Sequence, residues 1–283
     1  MRNNANLELI SRHLNDDFER RLFNAAIYNL SDENNDLRFS NYAYAFRELF
    51  LHVIKRMAPD NYVESCEWFS GLNEQGKVSR KDLYKYIIQG GISDCYIRDD
   101  LGIDISDVFP RLRDAFESLN RLTHISNTVF PIDASHGIQM TSQVEEYISS
   151  LFMRLDECHC QIITRLGEKV GNATIQSAIS ESLDSIDILS THSSVEEIYV
   201  ENIRIVEVNY EEIIFEATGS VDVGLQWGSN SDVRNDIGAV SERSFPFSCE
   251  VRSQVGEPED VFCDEGAFTV DTSSWFEGYY DRE

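Results

Sequence analysis

Three polar residues close an apolar helical stripe in the string Asn120-Arg121-Leu122-Thr123-His124. Asn120 and His124 are four apart, so they are neighbours on one helix flank. Arg121 lies about 60° round the helix from His124 at 100° per residue. An imidazole takes or gives a proton near neutral pH, and a guanidinium grips a phosphate with two prongs. Together they have the chemistry to cleave RNA without a metal. The histidine would act on the 2′-hydroxyl or the leaving oxygen while the arginine bears the developing charge. The commoner role of such residues is structural: a helix-end histidine that caps carbonyls or bonds Asn120. Both readings stay open, and His124, Arg121 and Asn120 are the residues on which a catalytic expectation rests.

Two other constellations carry weaker signals. Arg47 and His52 sit in FRELFLHV with the Arg-x4-His spacing. That spacing resembles the motif of HEPN ribonucleases, whose helical domains pair to bring two such motifs together. At 100° per residue the two side chains lie about 140° apart, so they are expected to flank the core face as surface charge. The second set is Glu216, Asp222 and Glu250 with Gln226. Metal nucleases place an Asp and a Glu on adjacent strands to hold Mg²⁺, with a lysine close behind. No lysine follows Lys169 here, so a solvated sheet face is expected, with Mg²⁺ kept only as the alternative cofactor to none. Cys158-His159-Cys160 falls in a helical pattern where residues two apart diverge, so packing is favoured over a zinc site.

Charge narrows the partners. The chain has 50 acidic and 24 basic side chains, a formal net charge of −26. Residues 196–283 hold 21 acidic and 5 basic side chains, against 29 and 19 in residues 1–195. A field of that sign repels phosphate backbones, so the C-terminal third is expected to be a poor autonomous nucleic-acid binder. The local exception is Lys77, Arg80, Lys81 and Lys85 around Asp82, with Tyr84 and Tyr86 interleaved. These four cations are the nucleic-acid-binding candidates; the alternative is a solvated helix face.

The elements that must position these residues change character near residue 195. Before it, apolar residues recur at helical spacing. Tyr42, Phe46, Leu49, Phe50, Val53 and Met57 trace one helix that stops before Pro59. Leu112, Phe116, Leu119 and Thr123 trace another that starts near Pro110. Val144, Ile148, Leu151, Leu155, Ile162 and Leu166 form a long stripe, broken in this reading by Gly167 and Gly171, with a further helix from Ile175 to Ile186. A helix around Leu7 to Leu30 opens the body, and Gly90-Gly91 ends one that starts at Arg80. After residue 195 the period becomes two, as in Ile213, Phe215 and Ala217, then Val221, Val223, Leu225 and Trp227, then Phe245, Phe247, Cys249 and Val251. Turns are read at Asn209-Tyr210-Glu211 and Thr218-Gly219, and a polar loop over 228–239. With no helices between the strands, the sheet is expected to be antiparallel.

The expected fold is therefore α+β. An N-terminal all-helical bundle (1–192, HEPN-like in type) precedes a small antiparallel β domain (196–276), and an acidic tail (277–283) follows. Six cysteines without a CxxC pair suggest no disulfide framework, and a reducing cytoplasm is the simplest compartment. The N-terminus lacks an apolar signal core, and no apolar run approaches the ~18 residues of a membrane span.

The strings FSNYAYAFRELFLHVIKRMAPD (39–60), IIQGGISDCYI (87–97) and LQWGSNSDVRNDIGA…SFPFSCEV (225–251) resemble the bacterial family of predicted pPIWI-associating nucleases. The resemblance spans about residue 35 to Trp275. It implies a nuclease-like effector of anti-phage or anti-plasmid defence, a phosphodiester hydrolase if catalytic, and it carries no catalytic motif onto this chain. Two classes of function stay open: a metal-independent ribonuclease, or a non-catalytic acidic module that binds a partner protein in a defence complex. Nucleic acid or a partner defence protein is the expected ligand, with no membrane, and the Val144–Leu166 stripe offers a homodimer seam.

Overall fold

The computed structural model describes residues 4–125, 130–180 and 184–276, so the 277–283 tail lies outside the described residues. The protein is α+β: a helical N-terminal region followed by a small antiparallel open sheet. It divides into two compact units, Met1–Cys160 and Gln161–Glu283.

The helical unit runs through α1 (Asn4–Arg12), α2 (Asp17–Ser31), α3 (Arg38–Met57), α4 (Asp60–Glu64), α5 (Arg80–Gln89), a π-helical turn (Tyr96–Asp100) and α6 (Val108–Thr123) into α7 (Ala134–Ser180). The expected single helix over Leu7 to Leu30 is two. Asp16 adopts an extended backbone and its carboxylate accepts the Glu19 N–H at 2.7 Å, while Glu19 reaches back to the Asn15 N–H at 2.8 Å. This reciprocal capping restarts the helix and outweighs the periodicity running through it. Helix α3 buries the face read from its spacing: Tyr42, Phe46, Leu49, Phe50 and Val53 are at most 3% exposed. Helix α5 starts on Ser79, whose hydroxyl accepts the Asp82 N–H, and ends at Gly90 with φ +56°.

Helix α7 has 47 residues and is about 70 Å long at 1.5 Å per residue. It passes straight through Gly167 and Gly171, where a break was expected. A glycine costs a helix only about 1 kcal/mol. Burial on the same stripe, at Ile162, Leu166, Val170 and Thr174, offsets that cost. The stripe expected to seat a homodimer is buried within the chain, from Val144 at 0% to Leu155 at 5%, so that seam is already filled.

In the second unit, a helical turn α8 (Asp184–Asp187) precedes the sheet; β1 (His192–Val208), β2 (Glu212–Trp227) and β3 (Ala239–Gln254) form consecutive antiparallel neighbours, with short β4 (Val261–Phe262) and β5 (Phe268–Val270) pairing with β3. Alternate residues of β2 and β3, among them Phe215, Val221, Val223, Phe245 and Val251, are buried. The Asn209–Glu211 turn forms as expected, with the Asn209 carboxamide accepting two backbone N–H groups. Thr218-Gly219 is not a turn; β2 runs through it. Gly219 lies opposite Phe247 on β3 and beside a bulge in β1, where a Cβ would come 1.9 Å from the Tyr199 carbonyl oxygen. Backbone approach, not chain reversal, selects glycine there. The 228–239 loop contains one helical turn, α9 (Asn230–Arg234), started by a reciprocal Ser229–Asp232 capping box. Strand β1 carries bulges at Val195/Glu197, Val200/Asn202 and Ile205/Glu207. Such irregularity, with exposed glutamates, guards an open edge against further strand pairing. The first short turns of the unit's C-terminal part end at α10 (Ser273–Phe276), where Trp275 stacks on Trp227.

Candidate nucleic-acid interface

The basic cluster of α5 is divided by the fold. Helix α5 turns Arg80 and Lys81 towards the start of α6, and there they meet Arg113. These three cations line a cleft of about 490 Å³ with Tyr84, Ser106, Phe109 and Pro110. The Arg80 guanidinium stands 4.3 Å from the Phe116 ring centroid, and the Lys81 ammonium 5.3 Å from that of Phe109. Such stacking holds long cationic side chains in place without neutralising them. Arg113 is mostly exposed, with Asp114 as a loose ion-pair partner at 3.4 Å. Lys85 leaves the cluster. Its ammonium lies 2.6 Å from Asp94 and 4.0 Å from the Trp68 centroid. Lys77 is exposed in the turn before α5, whose closing bond runs from the Asn73 N–H to the Lys77 carbonyl.

The second group lies at the far end of α6. Asn120 and Arg121 are exposed. Asn120 accepts a hydrogen bond from Arg47 at 3.3 Å, and that arginine also pairs with Glu48 at 3.0 Å. His124 is the exposed residue that ends the helix, its N–H donating to the Asn120 carbonyl. Arg121 lines a smaller pocket of about 280 Å³ with Leu122, Pro131, Ile132, Asp133, Met140 and a different imidazole, His136 of α7. Asp133 starts α7. Bonds from the Ser135 hydroxyl and the His136 N–H hold its carboxyl below the ordinary range. Sequence reasoning missed Arg113, Phe109 and His136. Their signal was tertiary, because each sits on a different turn or helix from the residue it joins.

His52 of the Arg-x4-His pair points elsewhere than Arg47. Its Nε2 lies 3.7 Å from Glu19 and 3.9 Å from Asp16. Glu19 is fully buried and held by Arg56 through two bonds, at 2.7 and 3.1 Å. That guanidinium already supplies the positive charge a cation would bring to the three ligands. His13 pairs with Asp156 at 3.1 Å and stacks on Phe152. Burial pushes the nearby His159 down to about 4. His159 thus packs neutral, and the thiol of Cys158 is pushed up to about 12 by the same cause.

The three candidate carboxylates of the sheet do not converge on one point. Glu216 and Glu250 are direct cross-strand partners, an arrangement that repels unless screened. Arg204 pairs with Glu216 at 2.7 Å, and Arg252 bridges Glu250 and Glu212. Asp222 lies six residues along β2 from Glu216, about 20 Å at strand rise, opposite Glu197 and Ser244. Gln226 donates to the Gly228 carbonyl. These side chains lie half-buried or exposed on the solvent side of the sheet, as expected.

Three exposed cations of the helical unit, Arg80, Lys81 and Arg113, thus stand round one aromatic cleft. Two family models match the chain, over residues 11–151 and 155–276, both described as predicted pPIWI-associating nuclease. The chain belongs to that family. The two matched segments correspond closely to the helical unit and to the unit that carries the sheet. No curated protein and no solved structure matches the chain. No helix among the described residues is long and apolar enough to cross a membrane.

Proposed function

We propose that this pPIWI-associating nuclease family member binds a phosphodiester backbone at the Arg80–Lys81–Arg113 cleft and cleaves RNA without a metal, as an effector of bacterial defence. The observation that carries the reading is the cleft itself: three cations, in a chain of charge −26, round one cavity. Local potential, not net charge, decides where a polyanion docks. Arg121 is the proposed anchor of the scissile phosphate. The base is an imidazole, His136 in the Arg121 pocket or His124 at the helix end. It takes the 2′-hydroxyl proton, the 2′-oxygen attacks phosphorus, and the P–O5′ bond breaks to leave a 2′,3′-cyclic phosphate, the 5′-oxygen taking a proton from the imidazolium or water while the guanidinium bears the added charge. Asn120, held by Arg47, positions the end of α6.

Cleavage of labelled RNA and DNA, with and without EDTA, tests this. RNA cleavage should persist in EDTA and fall at least a hundredfold in Arg121→Ala and in one of His124→Ala or His136→Ala. Turnover that survives all three changes rejects the assignment. Turnover that needs Mg²⁺ and vanishes in Asp222→Asn moves the site to the sheet.

A second reading is supported by charge: residues 196–283 hold 21 acidic and 5 basic side chains. Such an acidic region suits a basic partner protein in a defence complex. Stable co-purification with such a partner, and no turnover of any polymer, favours it.

A further inference from the structure

The α5–α6 cleft is more than a cationic patch, and its floor points to the form of nucleic acid it takes. Phosphate binding alone asks for exposed cations on a polar surface. Here the floor is Tyr84, Phe109 and Pro110, and the cations stand round it. Phe109 is half-buried with one face under Lys81, while Tyr84 is 3% exposed. Among the described residues the Tyr84 hydroxyl has no hydrogen-bond partner. A buried phenol left unpaired costs free energy, so such groups usually mark a missing ligand atom or water. The cavity volume of about 490 Å³ lies within the range of small-ligand pockets, roughly 300–1,000 Å³.

A cavity lined by aromatic and apolar groups together with three cations matches an unstacked base with its flanking phosphates. A duplex offers only its phosphates at that distance, because its bases are stacked inside. Resting on the reading above, we infer that the cleft is a single-strand site: one base inserts against Phe109 and Tyr84 while Arg80, Lys81 and Arg113 hold the neighbouring phosphates. Base–aromatic stacking of this kind is tolerant of sequence. The selectivity would therefore be for unpaired strand over duplex, with little preference among bases.

The test uses the full chain and three fluorescent probes of equal length: a single-stranded RNA, the corresponding duplex, and a strand with abasic sites replacing its central nucleotides. Affinity is read by anisotropy across a salt series. The expected result is at least tenfold tighter binding of the intact single strand than of either other probe. Phe109→Leu, which keeps apolar volume but removes the ring, should lower single-strand affinity about five- to 150-fold, the usual range for one stacked base, and leave the salt slope unchanged. Arg113→Ala should weaken all three probes and lower the slope by about 0.7 for the single strand. Equal binding of all three probes, with Phe109→Leu silent, overturns the base slot while leaving the phosphate cleft intact. No binding of any probe overturns both. The abasic probe needs no variant, so a folding defect in Phe109→Leu cannot hide the answer.

Discussion

Arg113 of the helical unit and Arg252 of the sheet unit are both accessible arginines, and their surroundings differ. Arg252 lies among Glu250, Glu212 and Asp264 at 2.5 to 3.4 Å. Arg113 has one partner at 3.4 Å and faces an apolar cleft. In the sheet, Arg204 and Arg252 are each claimed by carboxylates on their own or the neighbouring strand. In the helical unit, cations are left facing an opening. The lesson is that the net charge of a region says little about where an anion binds, because opposite charges within a few ångströms cancel before their field reaches solvent.

The same contrast sets how much each unit leans on its ion pairs. Among the described residues, Arg56 is the guanidinium that holds the fully buried Glu19. Arg56→Met should destabilise the helical unit by about 3–5 kcal/mol, because the buried carboxylate loses its guanidinium and keeps only the Asn15 N–H bond and the His52 imidazole at 3.7 Å. Arg204→Met, at the exposed Glu216 pair, should cost no more than about 1 kcal/mol. Urea unfolding of both variants measures the difference, and equal losses would show that burial is not what separates the units.

Glycines differ in the same direction. Gly219→Ala would drive a methyl into the Tyr199 carbonyl and should cost about 3 kcal/mol, with the β1–β2 ladder lost from hydrogen-exchange protection. Gly171→Ala in α7 meets nothing within 4 Å and should stabilise by about 0.5–1 kcal/mol. Thermal melts of the pair distinguish a steric glycine from a tolerated one.

Acid should act on the helical unit through His159. Unfolded, this histidine binds its proton near 6.5; folded, burial lowers that to about 4. Between these values the unfolded chain binds more protons, so stability falls as pH drops from 6.5 towards 4, by about 3 kcal/mol at most. His13, also lowered by burial, adds in the same direction. Urea midpoints between pH 7 and 4.5 should fall, and His159→Gln should flatten the fall. An unchanged slope in that variant would place the titration elsewhere.

The α+β class, the helix stop before Pro59, the core face of α3, the Gly90 cap and the antiparallel order of β1, β2 and β3 all follow from local rules. Period, capping residues and the lack of intervening helices act over a few residues, so one sequence suffices to read them. The two glycine readings failed because local propensity was outvoted: burial carried α7 through Gly167 and Gly171, and cross-strand pairing carried β2 through Gly219. The candidate site was half visible. Arg80 and Lys81 were named from their cluster, and Arg121 from its spacing. Phe109 and Arg113 lie 28 and 32 residues from Lys81, and His136 lies 15 from Arg121, along the chain. Which side chains share a cavity is set by helix packing over such separations, and no periodicity encodes it. The chain's own order of residues therefore determined which elements form and which faces they bury. Only tertiary packing decided which cations keep their charge facing water, because that depends on carboxylates brought in from elsewhere in the fold.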